Sequence, residues 1–175
     1  MSDGLERLAA LLSEQGGLLA SLLVGAGARA GTNGASPAQL ALGGPRAAAR
    51  AAEYELLLEA IYEGYLLHYG TPRVLQPPEA DLGLLAGDQL YALGLARLVA
   101  LGDLLAVAEL ADVITLTALA HGAGREDLAA AIWSAGARAV GWGPSETHRR
   151  AKALARAGEP AALAEMSAAA ARDRG

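Results

Sequence analysis

The side chains able to do chemistry are few in type and widely spread. Three histidines, His68, His121 and His148, stand too far apart in the chain for their spacing to define a metal site, and there is no cysteine. Without cysteine there are no disulfides, no thiolate nucleophile and no cysteine-ligated metal. No Walker A loop, no glycine fingerprint between a strand and a helix, and no His-Glu-x-x-His occurs. The glycine-rich stretch 25–34 lacks a lysine and follows no strand, so a phosphate cradle is not expected there. Two patterns remain. Four of the five tyrosines lie between 54 and 69 in a chain without phenylalanine, and Tyr54, Leu58, Tyr62, Tyr65 and Tyr69 share one stripe at helical spacing. A pocket for a long apolar ligand with a polar head is one reading of that stripe. The favoured one is aromatic bulk for an Ala/Leu core, with the hydroxyls at the protein's edge. Glu55, Glu59 and Glu63 form a second stripe one residue round, expected to be a solvated face rather than a metal ladder. His121, beside Gly122, reads as a helix C-terminal residue facing the negative end of the dipole.

The elements that must carry these groups follow from composition. Of 175 residues, 43 are Ala and 32 are Leu, both strong helix formers, whereas Val, Ile and Thr are scarce. This predicts an all-α fold, a compact bundle of seven or eight helices forming a single domain over 1–175. Helices are expected over Leu5–Leu23, from Pro37 behind a Ser36 N-cap to Gly43, and over Arg46–Tyr69, Glu79–Ala100, Asp103–Ala120 and Arg125–Val140. Two Ala/Arg-rich helices, Glu146–Ala157 and Pro160–Ala171, fill the 145–175 region. The small residues of 25–35 predict a flexible Gly/Ala loop within the N-terminal 1–45 region, since they bury little and lose much backbone entropy.

Fourteen basic and nineteen acidic residues give a formal charge of -5, with no cationic surface of the kind nucleic acid demands. The one basic cluster, His148, Arg149, Arg150, Lys152 and Arg156, is expected to solvate a helix near the chain end. The opening residues have no signal-peptide pattern. The apolar run Leu82–Ala120 is interrupted by Asp88, Arg97, Asp103, Glu109 and Asp112, so no transmembrane segment is expected and the protein is placed in the cytoplasm.

Residues 51–120 resemble the middle of the trans-isoprenyl diphosphate synthases, the polyprenyl synthetase family. Leu84-Leu-Ala-Gly-Asp88-Gln-Leu-Tyr-Ala-Leu-Gly-Leu-Ala96 is similar to that family's helix written roughly "lLAGDyLla-A", and Leu101-Gly-Asp103 and Leu110-Ala-Asp112-Val-Ile follow as in its members. Ala52-Glu53-Tyr-Glu-Leu-Leu-Leu resembles the helix leading to the first aspartate-rich motif. The resemblance implies an isoprenoid-synthase-like bundle, but the chemistry is depleted. Where two adjacent aspartates and a third one turn later belong, the chain reads Glu63-Gly64-Tyr65-Leu66-Leu67. No second aspartate-rich motif follows, and the expected arginine pair is represented by Arg73 alone. Ionising an allylic diphosphate requires magnesium held by clustered carboxylates, which a lone Glu63 does not supply.

The resemblance therefore implies a non-catalytic relative without metal or cofactor. It would bind an isoprenoid-type ligand near Tyr62, Glu63, Tyr65 and Asp88, or act as accessory subunit in a homo- or hetero-oligomer with another helical chain. Tyr62 and Glu63 would face the old reaction cavity, and Asp88, in an apolar helix, would need a buried partner. The alternative is a helical scaffold or assembly subunit without a small-molecule pocket; an enzyme using unrecognised Asp, Glu or His groups is a third reading. A deep apolar cavity between 46–69 and 79–100 favours the ligand reading, and a filled bundle with an exposed apolar patch larger than about 600 Å² favours the scaffold. Purified protein given allylic diphosphates and magnesium is expected to release no pyrophosphate above background; robust turnover contradicts the depleted-site reading.

Overall fold

The computed structural model describes residues 3–24 and 36–171, so the loop expected at 25–35 lies outside the described residues. The described residues form ten helices: α1 (Asp3–Gln15), α2 (Gly17–Ser21), α3 (Pro37–Leu42), α4 (Pro45–Ala48), α5 (Ala51–Tyr69), α6 (Ala80–Ala100), α7 (Leu104–Gly122), α8 (Glu126–Trp142), α9 (Glu146–Arg156) and α10 (Ala162–Ala170). No strand occurs among them, only an isolated bridge between Leu23 and Leu75. The all-α class is as the composition requires. The count exceeds seven or eight because two expected helices are each divided. Gly16 and Gly17 take φ values of 70° and 67°, which breaks the first helix between α1 and α2. Arg50, at φ -133° and ψ 41°, separates α4 from α5 without any glycine or proline to announce it.

Side-chain caps fix several starts. Ser36 Oγ accepts the Gln39 N–H at 3.4 Å, Asp103 Oδ1 that of Ala106 at 3.1 Å, and Ser145 Oγ that of His148 at 3.1 Å. The larger core is built from α5, α7, α8, α9 and α10 around Leu58, Ile61, Leu110, Leu116, Ile132 and Met166, with Ala41 of α3, Ala47 of α4 and Leu98 of α6 joining it. A smaller core joins α1 and α2 to α6 and the 70–79 connection through Leu8, Leu12, Leu75 and Leu90. Helix α5 runs between the two and contributes to both, Ala60 to the smaller and Leu58 to the larger.

Alanine-rich helices can approach closely, and here the approach reaches the backbone. A Cβ built on Gly141 of α8 would overlap the Ala41 carbonyl oxygen, and one on Gly44 would overlap the Gly141 carbonyl. Helix propensity alone favours Gly141→Ala by up to about 1 kcal/mol. The backbone overlap costs more, because a carbonyl cannot swing aside as a side-chain tip can. Gly141→Ala is expected to lower the unfolding free energy by about 2 kcal/mol in urea titration; an unchanged or raised midpoint contradicts the close α3–α8 contact.

Candidate functional site

The glutamate stripe of α5 is buried, not solvated. Glu55, Glu59 and Glu63 are 7%, 0% and 0% exposed, because α1, α3 and the 70–79 connection cover this side of the helix. Glu55 receives Arg7 from α1 and the Gln39 amide of α3, the latter at 2.9 Å. Glu59 and Glu63 share Arg73, itself 3% exposed. The Arg73 Nη1 lies 2.7 Å from Glu59 Oε2, and its Nε donates to Glu63 Oε2 at 3.1 Å. The other Glu63 oxygen accepts three successive backbone N–H groups, from Arg73 and Val74 at 2.7 Å each and Leu75 at 3.3 Å. This carboxylate fills a backbone anion nest. Its four donors leave it sealed inside the fold, which corrects the expectation that Glu63 faces a reaction cavity.

Tyr62 lies beside this cluster, with the Arg73 guanidinium 5.0 Å from its ring centroid. Burial pushes the Tyr62 phenol above its ordinary pKa, against the opposing pull of Arg73. Tyr62 stacks on Tyr65 at 5.6 Å and meets Trp133 of α8 edge-on at 4.9 Å. Burial likewise pushes the Tyr65 phenol up to about 12. Tyr65 Oη lies 2.9 Å from His121 Nε2, and Tyr69 stacks on the same imidazole at 4.2 Å with nearly parallel planes. His121 does sit in the last turn of α7, where its partner is a phenol. Asp88 is elsewhere. Its side chain is 71% exposed and its neighbour is His68, with Nε2 at 3.2 Å, so solvent supplies what was expected from a buried partner. Tyr62, Glu63 and Tyr65 thus come together on α5, and Asp88 points out from α6.

A second buried ion cluster joins α7 to α9. Glu109, 4% exposed, lies 2.8 Å from His148 Nε2 and 2.9 Å from Lys152 Nζ. Asp112 takes Lys152 at 2.8 Å and Arg156. His148 and Lys152, expected in a solvated cluster, therefore turn inward, while Arg149 and Arg150 remain exposed. The signal was available in spacing: Glu109 and Asp112 are three apart on one helix, and His148 and Lys152 four apart on another, so each pair shares a face. Burial alone would push Glu109 up, yet hydrogen bonds from His148 and Lys152 outweigh it and hold the carboxyl below its ordinary range. The same competition, with Lys152 and Arg156 prevailing over burial, lowers Asp112.

No family model, curated protein or solved structure matches this chain. Among the described residues no three His, Asp or Glu side chains are grouped so as to hold a metal ion.

Two outcomes follow from these clusters. Arg73→Met strands two carboxylates in the interior, and a loss of about 3–5 kcal/mol is expected in chemical denaturation; a loss under about 1 kcal/mol denies Arg73 that role. Glu109 and Asp112 have lowered folded-state values, so they stabilise the fold above the ordinary carboxylate range and cease to as pH falls through those lowered values. Stability should therefore decline on acidification below about pH 4, and Glu109→Gln should flatten that decline while lowering stability at neutral pH. Parallel pH profiles for the two proteins would contradict the assignment.

Proposed function

We propose that the protein is a non-catalytic helical assembly subunit that pairs with a second copy of itself through the outer face of α6 and α7. The observation that carries this reading is the character of that face. Leu84, Leu85 and Val99 of α6 are 44%, 50% and 53% exposed, and Leu104 and Leu119 of α7 are 66% and 50% exposed. Among the exposed residues of the two helices only Asp81 and Asp88 are charged. A solvated helix face in this same protein looks different: α9 exposes Glu146, Arg149, Arg150 and Arg156. Five exposed large apolar residues on two consecutive helices, with few charges among them, favour association.

The partner follows from symmetry and side-chain size. Leu104, Ala108, Ala111, Thr115, Ala118 and Gly122 advance by alternating steps of four and three along α7, the spacing of a two-helix seam. After Leu104 every one of them is small, so two α7 helices could approach closely. In a two-fold dimer each residue near the axis faces its own copy, and an uncharged stripe avoids like-charge repulsion there.

The alternative occupant, a long apolar ligand between α5 and α6, finds little room. A Cβ built on Gly64 would lie 3.0 Å from the Gly87 carbonyl oxygen, and one on Gly94 would overlap Ile61. A cleft of about 220 Å³ lies at the outer end of this pair, between Glu53, Leu57, Arg97 and Leu101. By length and composition α6 and α7 could each cross a membrane, with 33% and 39% of the relevant windows buried. Against a bilayer reading, Glu109 and Asp112 of α7 are held in ion pairs by α9.

Light scattering after size exclusion is expected to give twice the chain mass, and Leu104→Glu or Leu119→Glu to give a folded monomer. A wild-type monomer at about 100 µM, where even a weak biological dimer forms, overturns the reading. So does recovery of the protein only with phospholipid vesicles.

A further inference from the structure

The aromatic side chains are gathered rather than scattered. Tyr62, Tyr65 and Tyr69 of α5, His121 of α7 and Trp133 of α8 form one continuous group, with touching rings 4.2 to 5.7 Å apart between centroids. The chain has neither phenylalanine nor cysteine. Every benzenoid ring in it is therefore an indole or a phenol, the groups at which a one-electron oxidation of such a chain comes to rest. None of these side chains is among those assigned to the α6–α7 face.

Members of the group differ in what they can do with a proton. An indole or phenol that loses an electron becomes strongly acidic, so a nearby base decides where the oxidation settles. Trp133 is 3% exposed, and its Nε1 has no hydrogen-bond partner among the described residues. An oxidised Trp133 keeps its proton and pulls an electron from a neighbour. Tyr65 is in contact, 5.3 Å away between ring centroids. Its Oη lies 2.9 Å from His121 Nε2, within reach of proton transfer. Burial pushes the Tyr65 phenol up to about 12, so it holds its proton until it is oxidised. With the ring proton on Nδ1, the imidazole accepts that phenolic hydrogen at Nε2. Tyr69, stacked on the imidazole at 4.2 Å, keeps the acceptor in place. Among the described residues only Tyr54 and Tyr65 have hydrogen-bonded hydroxyls, and Tyr54 has no ring contact with this group.

We propose that Tyr65 and His121 form a proton-coupled redox site that drains one-electron oxidising equivalents from Trp133. An oxidant of the oxygen-radical class takes one electron from the Trp133 indole. Tyr65 returns an electron to that indole as its O–H bond breaks and an N–H bond forms at His121 Nε2. The products are a neutral indole, a neutral phenoxyl radical and an imidazolium. Tyr65 is only half-buried, which leaves its radical open to a soluble reductant of the ascorbate class. That reductant gives one electron to the phenoxyl oxygen, which takes its proton back from His121.

Laser flash photolysis of the full chain reads these steps, at a wavelength that indole absorbs and phenol does not. Hexaamminecobalt(III) removes the ejected electron. The measurement is made on wild type and on Trp142→Phe, which leaves Trp133 as the single indole. In both, the tryptophanyl signal is expected to decay as a tyrosyl signal rises, more slowly in heavy water, and ascorbate to bleach the tyrosyl. Tyr65→Phe and His121→Phe, made in both backgrounds, keep a ring in place but remove the hydroxyl or the base. Each is expected to slow the transfer by about a hundredfold, the lower end of what a positioned base supplies. The proposal is overturned if no tyrosyl forms, or if it forms at an undiminished rate in either variant. Equal rates in ordinary and heavy water overturn it as well, as does a tyrosyl that ascorbate leaves standing.

Discussion

The fold turns on one guanidinium. Arg73 stands between Glu59 and Glu63, all three removed from water, and the backbone around it closes on Glu63 through three N–H groups. Two carboxylates facing one cation carry a large desolvation cost; Glu63 meets it with four hydrogen bonds, whereas among the described residues Glu59 has only its ion pair with Arg73. Around that point the rest of the molecule is organised. The 70–79 connection is pinned to α5, Val74 and Leu75 become core residues, and α6 starts beyond Pro78 in the position that packs its glycines against α5. Arg7 and Gln39 repeat the device one turn and two turns earlier at Glu55, so a single ridge of glutamates collects α1, α3 and the connection.

Two polar clusters therefore hold an otherwise apolar bundle in register. An Ala/Leu interior offers little shape to distinguish one helix alignment from the next. Charged groups that must find specific partners supply that distinction, at the cost of burying them. Glu109 with His148 and Lys152 does for α7 and α9 what Arg73 does for α5. The tyrosine stripe acts differently, as packing: Tyr62 and Tyr65 fill space against Trp133, and the Tyr65 hydroxyl finds His121 at the edge of the bundle.

The helical class and most helix ends were legible in the chain. Alanine and leucine set the class, and Ser36, Asp103, Ser145 and the glycine-proline turns marked ends by local chemistry that needs no tertiary context. The break at Arg50 left no such mark, because it answers to where α4 and α5 must pack. The glutamate ridge was misread for a related reason. Spacing shows that Glu55, Glu59 and Glu63 share a face, but whether water or Arg73 meets that face depends on a connection folding back from beyond Tyr69. Asp88 was misread the opposite way, since the apolar residues about it on α6 include exposed ones such as Leu84 and Leu85.

The small antiparallel bridge has a bearing on how the chain is made. Val24 donates to Val74 and Gln76 to Leu22, so the first two helices are fastened to a segment some fifty residues later, and Leu8 and Leu12 rest on side chains later still. During synthesis those leucines emerge well before anything exists to cover them. On the nascent chain α1 and α2 must wait, greasy side exposed, until α5, the connection and much of α6 have cleared the ribosome. Loop closure over that distance slows docking further. Two helices translated ahead of their partners are thus among the last to be finished.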